Sequence, residues 1–308
     1  VTRFARGERT LIAAIMIIVG SMSGVLSNTG TAAVLIPVVT GIAAKSGYSR
    51  SRLLMPLVFA AAMGGNLSLI GAPGNLIAQS GLQEIGLSFG FFEYAIVGLP
   101  ILIAGILFYT TIGFSPRIRR TPGHIPGRSA KETVCPMPEE AIAAEHVSAW
   151  KQIVSLVVLI LTLLAMIFEK QIGVKLYVSG CIGALVLILT GVISEENALK
   201  AIDLRTIFLF GGTLSLAAAL AETGAGELIA HSVIRALGNQ PSPYLLTFTV
   251  FILCCALTNF MSNTATTALM VPICLSIAQG MGADPRAVLM ACVIGGSCAY
   301  ATPIGMPA

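Results

Sequence analysis

A twelve-residue segment near the beginning of the chain recurs near its end, inside apolar surroundings. The first copy, SNTGTAAVLIPV, spans residues 27–38, and the second, SNTATTALMVPI, spans residues 262–273. A Gly/Pro break follows each copy at a similar distance, as IGAP at 70–73 and IGMP at 304–307. A polar segment and a chain break that both occur twice within apolar sequence are typical of transporters with a binding site between internal repeats.

The composition predicts that lipid surrounds most of the chain. Hydrophobic residues make up 56% of the sequence and charged residues only 10%, whereas a soluble domain carries roughly 25% charged residues. The apolar runs at 91–113, 153–168, 176–193 and 207–220 predict helices that cross a bilayer, the shorter ones with flanking residues. We therefore expect an all-α polytopic membrane protein with the lipid bilayer as a partner. The net charge of +4 is carried by loops that flank the membrane, so we expect no nucleic-acid partner.

The segments on either side of each Ser-Asn-Thr triplet are short for separate membrane crossings. The runs at 11–26 and 32–44, at 1.5 Å per residue, fall short of a hydrocarbon core of roughly 30 Å. Between them lies the polar, helix-breaking sequence SNTGT. We predict a re-entrant hairpin over 11–44 and a matching hairpin over 244–281, each with its polar tip at mid-membrane.

Five predicted crossings separate the hairpins, so the hairpins open to opposite faces and the repeats are inverted. The first repeat is predicted over 1–114, with a broken helix at 53–82 that is non-helical from 66 to 75, and a helix at 91–113. A connecting loop follows at 115–150. The second repeat is predicted over 151–308, with helices at 151–168, 175–193 and 205–221, the hairpin 244–281 and a second broken helix from 285.

The distribution of basic residues predicts the orientation. Of the 18 Lys and Arg residues, 14 lie in loops that this topology assigns to the cytoplasm and 4 in the outer loops. Cytoplasmic loops of membrane proteins carry an excess of Lys and Arg. We therefore expect the first hairpin and the loop 115–150 to face the cytoplasm. The first ten residues have no cleavage-site pattern, so we expect no signal peptide, and we expect further helices on both sides of this sequence.

The triplets provide uncharged oxygen atoms at the predicted hairpin tips. Asn28, Thr29, Asn263 and Thr264 suit a hard monovalent cation such as sodium, and helix N-termini at the breaks suit an anion. Alternatively, such residues only hold helices together, although two matched copies favour a binding role. The hairpin arms and breaks contain no Asp, Glu, His, Lys or Arg, which favours sodium over protons. We see no catalytic constellation, no metal site other than sodium and no cofactor, and so expect no enzyme.

The paired triplets and the sequence DLRTIFLFGG at 203–212 resemble the divalent anion:sodium symporter family. This family comprises solute carrier family 13 and bacterial sodium-dicarboxylate symporters, within the ion transporter superfamily. The resemblance implies sodium-coupled symport of a divalent anion, with a C4 dicarboxylate or a related di- or tricarboxylate as substrate. It further implies an elevator-type mechanism, a homodimer and a multi-pass protein of the plasma membrane, expected to be a bacterial inner membrane.

The resemblance also implies which residues bind. The expected sodium ligands are Ser23, Ser27, Asn28, Gly71, Thr258, Met261, Asn263 and Gly305. The expected substrate contacts are Asn28, Thr29, Ala72, Pro73, Asn263, Thr264, Met306 and Pro307. Ser23 and Thr258 each precede their triplet by four residues, a match that is independent of the triplets themselves.

One departure from the family leaves alternatives open. Dicarboxylate-transporting relatives commonly have Thr-Pro-Pro after each break, where this chain has APG at 72–74 and MPA at 306–308. Two hydroxyls expected near the substrate are therefore absent, and the alternatives are a transporter of sulfate or another inorganic oxyanion, or an anion antiporter of the same superfamily. An anion channel is a third alternative, but it would require a continuous polar stripe along several helices, which is not visible.

The topology generates a direct prediction. In a background that lacks the native Cys residues, a Cys at Arg119 should react with a membrane-impermeant thiol reagent only from the cytoplasmic side. A Cys at Lys170 should react only from outside. The physical reason is the excess of basic residues in the loops assigned to the cytoplasm. Reversed labelling in inside-out and right-side-out vesicles would contradict the predicted orientation.

Overall fold

The computed structural model describes residues 7–46, 48–113, 148–225, 228, 232, 235 and 242–302. All the regular elements in these ranges are helical, and no strand occurs among them. The all-α expectation is therefore confirmed for the described residues. The first part of the chain forms α1 (Glu8–Ser23), α2 (Asn28–Ser46), α3 (Arg50–Gly64), α4 (Pro73–Glu84) and α5 (Ala95–Thr111). The later part forms α6 (Ala149–Ile167), α7 (Glu169–Ile172), α8 (Leu176–Leu189), α9 (Glu195–Lys200), α10 (Leu204–Glu222), α11 (Pro243–Thr258), α12 (Asn263–Met281) and α13 (Pro285–Gly296).

The helices of the two sequence repeats begin and end in register. Thr258, the last residue of α11, follows Ser23, the last residue of α1, by 235 residues (258 minus 23). The same offset relates both ends of α2 to those of α12, and the first residue of α3 to that of α13. The internal repeat in the sequence is therefore also a repeat of secondary structure.

Each Ser-Asn-Thr triplet starts a helix. From the sequence we predicted instead that the triplet lies in a helix-breaking segment between the two arms of a hairpin. The chain between α1 and α2 is non-helical only over residues 24–27, and Asn28 is already the first residue of α2. The reason is helix capping, since the Ser27 hydroxyl accepts a hydrogen bond from the Gly30 amide at 3.1 Å. Ser262 accepts from the Ala265 amide at 3.2 Å in the same way, and Ser is among the preferred residues at this position.

The first chain break is also shorter than predicted. A 3₁₀ turn covers Gly65–Leu67, and α4 begins at Pro73, so the irregular segment is 68–72 rather than 66–75. Proline is well suited to the first helical position because the amide hydrogen it lacks would have no partner there. The break therefore ends where Pro73 starts the next helix.

Two predicted membrane spans are shorter as helices than as apolar runs. The run 91–113 forms a helix of 17 residues, α5, because residues 91–94 form a turn. The run 175–193 forms a helix of 14 residues, α8, which ends before Gly191, whose φ of +69° favours glycine. Of the described helices, α6 and α12 are long and apolar enough to cross a membrane by length and composition.

The structure divides into two compact units. Of the described residues, those within 1–121 and 205–308 form one unit, and those within 122–204 form the other. In the first unit α1 packs against α3 and α5, α2 packs against α3, and α11 and α12 both pack against α13. Helix α4 contacts α12 and α13, so the helix that follows the first break touches the second repeat. In the second unit α6 packs against α8.

Close contact between α1 and α3 depends on glycine. A Cβ atom on Gly64 would lie 2.3 Å from the Gly20 carbonyl oxygen and 2.7 Å from its Cα. Around this contact the buried face of α1 presents Ile12, Met16 and Val19, spaced three or four residues apart as a helix requires. The two backbones approach each other where α3 runs into the break, which places residues 61–65 next to the end of α1.

This approach predicts the effect of one added methyl group. Gly64→Ala should lower the free energy of unfolding by about 1–3 kcal/mol, because the methyl group overlaps backbone atoms that cannot rotate away. The matched control is Gly41→Ala in α2, where the added Cβ meets no atom within 4 Å. That variant should be neutral or stabilised by up to about 1 kcal/mol, since Ala favours helices over Gly. Thermal unfolding of the purified protein in detergent measures both, and equal melting temperatures would contradict the proposed contact.

Candidate functional site

Three oxygen atoms meet where α1 ends and α2 begins. The Ser23 hydroxyl oxygen lies 2.9 Å from Asn28 Oδ1 and 2.6 Å from the Ala61 carbonyl oxygen. Ser23 is fully buried and Asn28 is half-buried. The first oxygen cluster, defined by Ser23, Asn28 and Ala61, thus joins the last residue of α1, the first residue of α2 and the last turn of α3.

The second repeat forms the same cluster from different side chains. The Thr258 hydroxyl oxygen lies 2.8 Å from Asn263 Oδ1 and 2.6 Å from the Gly296 carbonyl oxygen. Each of these residues follows its counterpart in the first cluster by 235 residues (258 minus 23, for example). The second oxygen cluster, defined by Thr258, Asn263 and Gly296, therefore has the same three kinds of oxygen atom as the first.

The chemistry of each cluster suits a cation. Each hydroxyl oxygen lies within hydrogen-bonding distance of an amide oxygen and a backbone carbonyl oxygen. A positive charge beside the three oxygens would stabilise the arrangement. Hard cations prefer oxygen ligands. All six residues are uncharged, so the clusters suit a monovalent ion.

The first break lies directly against the first cluster. A Cβ atom on Gly65 would lie 2.1 Å from Asn28 Oδ1, and one on Gly71 would lie 2.5 Å from the Gly65 carbonyl oxygen. Both glycines are therefore needed for the approach of the break to Asn28. Four residues are expected to bind the first ion. Of these, Ser23 and Asn28 are in contact, and Gly71 packs against the carbonyl oxygen of Gly65. Ser27 is exposed, and its hydroxyl caps α2.

Asn75 holds the two sides of the break together, a role that the sequence did not predict. Its Nδ2 donates to the carbonyl oxygens of Gly65 at 3.0 Å and of Ser68 at 2.7 Å, and the residue is fully buried. The Ser68 hydroxyl in turn donates to the Gly24 carbonyl oxygen. In the second repeat the Thr302 hydroxyl donates to the carbonyl oxygen of Asn259, the counterpart of Gly24. Each break is thus tied by a hydrogen bond to the segment that connects the two helices on either side of its triplet.

The remaining predicted residues lie in several different elements of the structure or outside its described part. Met261 lies in the connection between α11 and α12, and its amide donates to the Leu257 carbonyl oxygen at 3.1 Å. Thr29 and Thr264 are the second residues of α2 and α12, exposed and half-buried respectively. Ala72 is only 7% exposed, next to Pro73 at the start of α4. The last three predicted residues lie outside the described part of the chain: Gly305, Met306 and Pro307.

Several buried polar side chains near the breaks lack a hydrogen-bond partner within the described residues. They include both amide atoms of Asn66 and the hydroxyls of Thr31 and Thr266. Thr31 and Thr266 are counterparts in the two repeats, three residues after Asn28 and Asn263. A buried polar group without a partner costs about 1–3 kcal/mol. The same Thr occurs in both sequence copies, and this recurrence was the signal that could have identified Thr31 and Thr266 as candidate functional residues.

Within the described ranges no group of three or more His, Cys, Asp or Glu residues could hold a metal ion. The oxygen atoms of the two clusters are of the type that a hard monovalent ion prefers. A matched pair of uncharged oxygen clusters beside two chain breaks is an arrangement expected of a secondary transporter.

Comparison with known proteins gives the family. The chain belongs to the citrate transporter family CitMHS, whose sequence profile matches residues 1–295. This family is described as transporters and not enzymes, and it implies an integral membrane protein. The divalent anion:sodium symporter family that the triplets resemble is a finer assignment, and the profile match does not establish it.

Individual relatives are also transporters. The chain is 30% identical to an uncharacterized transporter of Methanocaldococcus jannaschii over 286 residues, which are 92% of the chain and 62% of the relative. It is 29% identical to an uncharacterized transporter of Haemophilus influenzae over 95% of the chain and 63% of the relative. It is 24% identical to the sodium-dependent dicarboxylate transporter SdcS of Staphylococcus saprophyticus over 95% of the chain and 60% of the relative. The chain thus spans less than two thirds of the length of these relatives.

Proposed function

We propose that the protein is a secondary active transporter that couples the uptake of a small divalent anion to sodium. The expected substrate is a C4 dicarboxylate or a related di- or tricarboxylate. The observation that carries this proposal is the duplicated oxygen cluster, because three uncharged oxygens within hydrogen-bonding distance of one another are the kind of ligands that sodium prefers. The family description and the sodium-dependent dicarboxylate relative support the same class of substrate and ion.

The two sodium sites are built on the two clusters. In the first site, Ser23 and Asn28 contribute side-chain oxygens and the break contributes backbone oxygens near Gly71. In the second site, Thr258 and Asn263 play the corresponding roles, with the backbone of Met261 and Gly305 as further ligands. Exchange of Ser for Thr between the sites preserves the hydroxyl, which is consistent with a role for the oxygen rather than for side-chain volume.

The anion lies beside the sodium ions, at the starts of α2, α4 and α12. The first turn of a helix presents unpaired amide hydrogens and the positive end of the helix dipole, which favour an anion. Thr29, Thr264, Pro73 and the two triplet Asn residues lie in these first turns. Since the cluster residues are uncharged, the two sodium ions themselves provide the charge that balances a divalent anion.

Transport requires the site to open to each side of the membrane in turn. We propose that the two hairpins are re-entrant, that the repeats are inverted, and that an elevator-type movement carries the site. A homodimer in a bacterial inner membrane completes the proposal. These elements rest on the basic-residue distribution and on the family resemblance. Large exposed apolar side chains such as Ile96, Tyr177 and Leu189 are consistent with helices that contact lipid.

A smaller oxyanion is the second candidate substrate. Ala72 is buried at the start of α4 and offers no hydroxyl, where dicarboxylate-transporting relatives have Thr. A site that lacks a hydrogen-bond donor binds a carboxylate less tightly, whereas a compact tetrahedral anion such as sulfate relies more on backbone amides. Exchange of anions, rather than symport, is a further alternative that uses the same site.

The proposed sodium sites predict a loss of coupling when either Asn is removed. Asn28→Ala and Asn263→Ala should each abolish sodium-driven uptake of labelled citrate, succinate, malate or sulfate into proteoliposomes. The reason is that each substitution removes a cation ligand in a site with few alternatives. The control is Asn197→Ala, because Asn197 is exposed in α9. Uptake with the wild-type dependence on sodium in either Asn28→Ala or Asn263→Ala would contradict the assignment.

Substrate choice gives a separate prediction. Ala72→Thr together with Met306→Thr should tighten succinate binding by about 1–3 kcal/mol, the value of a hydrogen bond to a charged group. In the wild-type protein, unlabelled sulfate should compete with labelled succinate for uptake. If sulfate does not compete and the double variant binds succinate no better, Ala72 and Met306 do not belong to the substrate site.

A further inference from the structure

Thr267 lies where the first and second repeats touch. It is in the second turn of α12, is only 2% exposed, and its hydroxyl donates to the Asn263 carbonyl oxygen at 3.0 Å. Helix α12 packs against both α4 and α13. The side chain of Thr267 is thus attached to the residue whose Oδ1 belongs to the second oxygen cluster.

Two glycines from different helices enclose this hydroxyl. A Cβ atom on Gly74 would lie 2.9 Å from Thr267 Oγ1, and a Cβ atom on Gly296 would lie 2.8 Å from the same oxygen. Real Cβ atoms are essentially never found this close to another heavy atom, so only glycine fits at both positions without a shift. Thr267 is therefore held between the second residue of α4 and the last residue of α13.

The three contact residues belong to both proposed binding regions. Gly296 provides the carbonyl oxygen of the second cluster, and Asn263 provides its amide oxygen. Gly74 is the second residue after the break at 68–72 and lies within the first turn of α4, where the anion is proposed to bind. A shift of either cluster residue would therefore be transmitted by Thr267 to the start of α4.

The first repeat does not contain this arrangement. The counterparts of Thr267 and Gly296, 235 residues earlier (267 minus 32), are Ala32 and Ala61. Both are alanines, whereas the second repeat has the larger Thr267 next to the smaller Gly296. The contact to α4 through a Thr side chain is therefore a feature of the second repeat alone.

We propose that Thr267 is a positioning residue that couples sodium at the second oxygen cluster to the anion at the start of α4, an inference that rests on the proposed function. A sodium ion draws Thr258, Asn263 and Gly296 together and so fixes the two residues on either side of the Thr267 hydroxyl. Thr267 then fixes Gly74 and with it the first turn of α4. Because coupling between sites is reciprocal, the anion also raises the affinity for sodium.

The test measures this coupling directly in the full-length protein. Sodium that binds the folded state raises the melting temperature, so the half-saturating sodium concentration is read from thermal unfolding at constant ionic strength with choline. The ratio of this concentration without and with saturating citrate, or with succinate or sulfate if the wild type binds those instead, is the coupling factor. Factors of about 5 to 150 are typical of coupled sites.

Four variants separate positioning from packing. Gly74→Ala and Thr267→Ala should bring the coupling factor close to 1, since the first displaces the Thr267 hydroxyl and the second removes it. Thr267→Ser keeps the oxygen atom and should keep the wild-type factor. The matched control is Gly81→Ala. Gly81 lies in α4, and an added Cβ would lie 2.9 Å from Val271 Cγ1 in α12. This variant therefore tests a similar overlap between the same two helices, away from the site.

The outcomes are distinguishable. A coupling factor that falls equally in Gly74→Ala and Gly81→Ala, or that is unchanged in Thr267→Ala, overturns the role of Thr267 while the sodium response remains. A wild-type protein whose melting temperature does not respond to sodium at all overturns the proposed function itself, and this inference with it. The proposal is supported if the coupling factor falls close to 1 in Gly74→Ala and Thr267→Ala but keeps its wild-type value in Thr267→Ser and Gly81→Ala.

Discussion

A hydroxyl group that approaches an amide oxygen and a backbone carbonyl oxygen is the contact on which the rest of this structure depends. In the first repeat it is Ser23 against Asn28 and Ala61, and in the second Thr258 against Asn263 and Gly296. Each contact joins the end of one helix, the start of the next and a third helix. Since only four residues connect the first two helices, this contact places the capped start of α2 or α12 beside the chain break.

Glycine allows the backbones to come close enough for these contacts to form. Gly64 lies against Gly20, Gly65 lies against the Asn28 amide, and Gly71 lies against Gly65. A side chain at any of these positions would separate the helices or displace Asn28. Gly98 shows the same principle on the other side of the break, where a Cβ would lie 2.0 Å from the Asn66 carbonyl oxygen. The irregular segment is therefore enclosed by backbone on several sides.

The two repeats agree in their oxygen clusters and differ around them. Thr267 connects the second cluster to α4, whereas the counterpart of Thr267 in the first repeat is Ala32. Under the proposed function this difference is expected, because a single anion site lies between the two ion sites and α4 is the helix of the first repeat that contacts α12 and α13.

The sequence by itself determined the class of fold and the side chains that form the two oxygen clusters. The apolar composition required helices in lipid, and the duplicated triplets identified Asn28 and Asn263, with Ser23 and Thr258 four residues earlier. These features are local, and residue type and spacing are enough to recognise them. Helix limits were less accurate, because the caps at Ser27 and Ser262 turned a predicted break into a helix start.

Only the tertiary structure decided which backbone groups complete the site. Nothing in the sequence marks the carbonyl oxygens of Ala61 and Gly296 as partners of Ser23 and Thr258, because every residue has a backbone carbonyl and its direction depends on how the helices pack. The same holds for Thr267, whose neighbours Gly74 and Gly296 are distant in sequence. A glycine in the sequence indicates conformational freedom of the backbone or a close approach of another group. Only the packing shows which atom occupies the space where a side chain would otherwise lie.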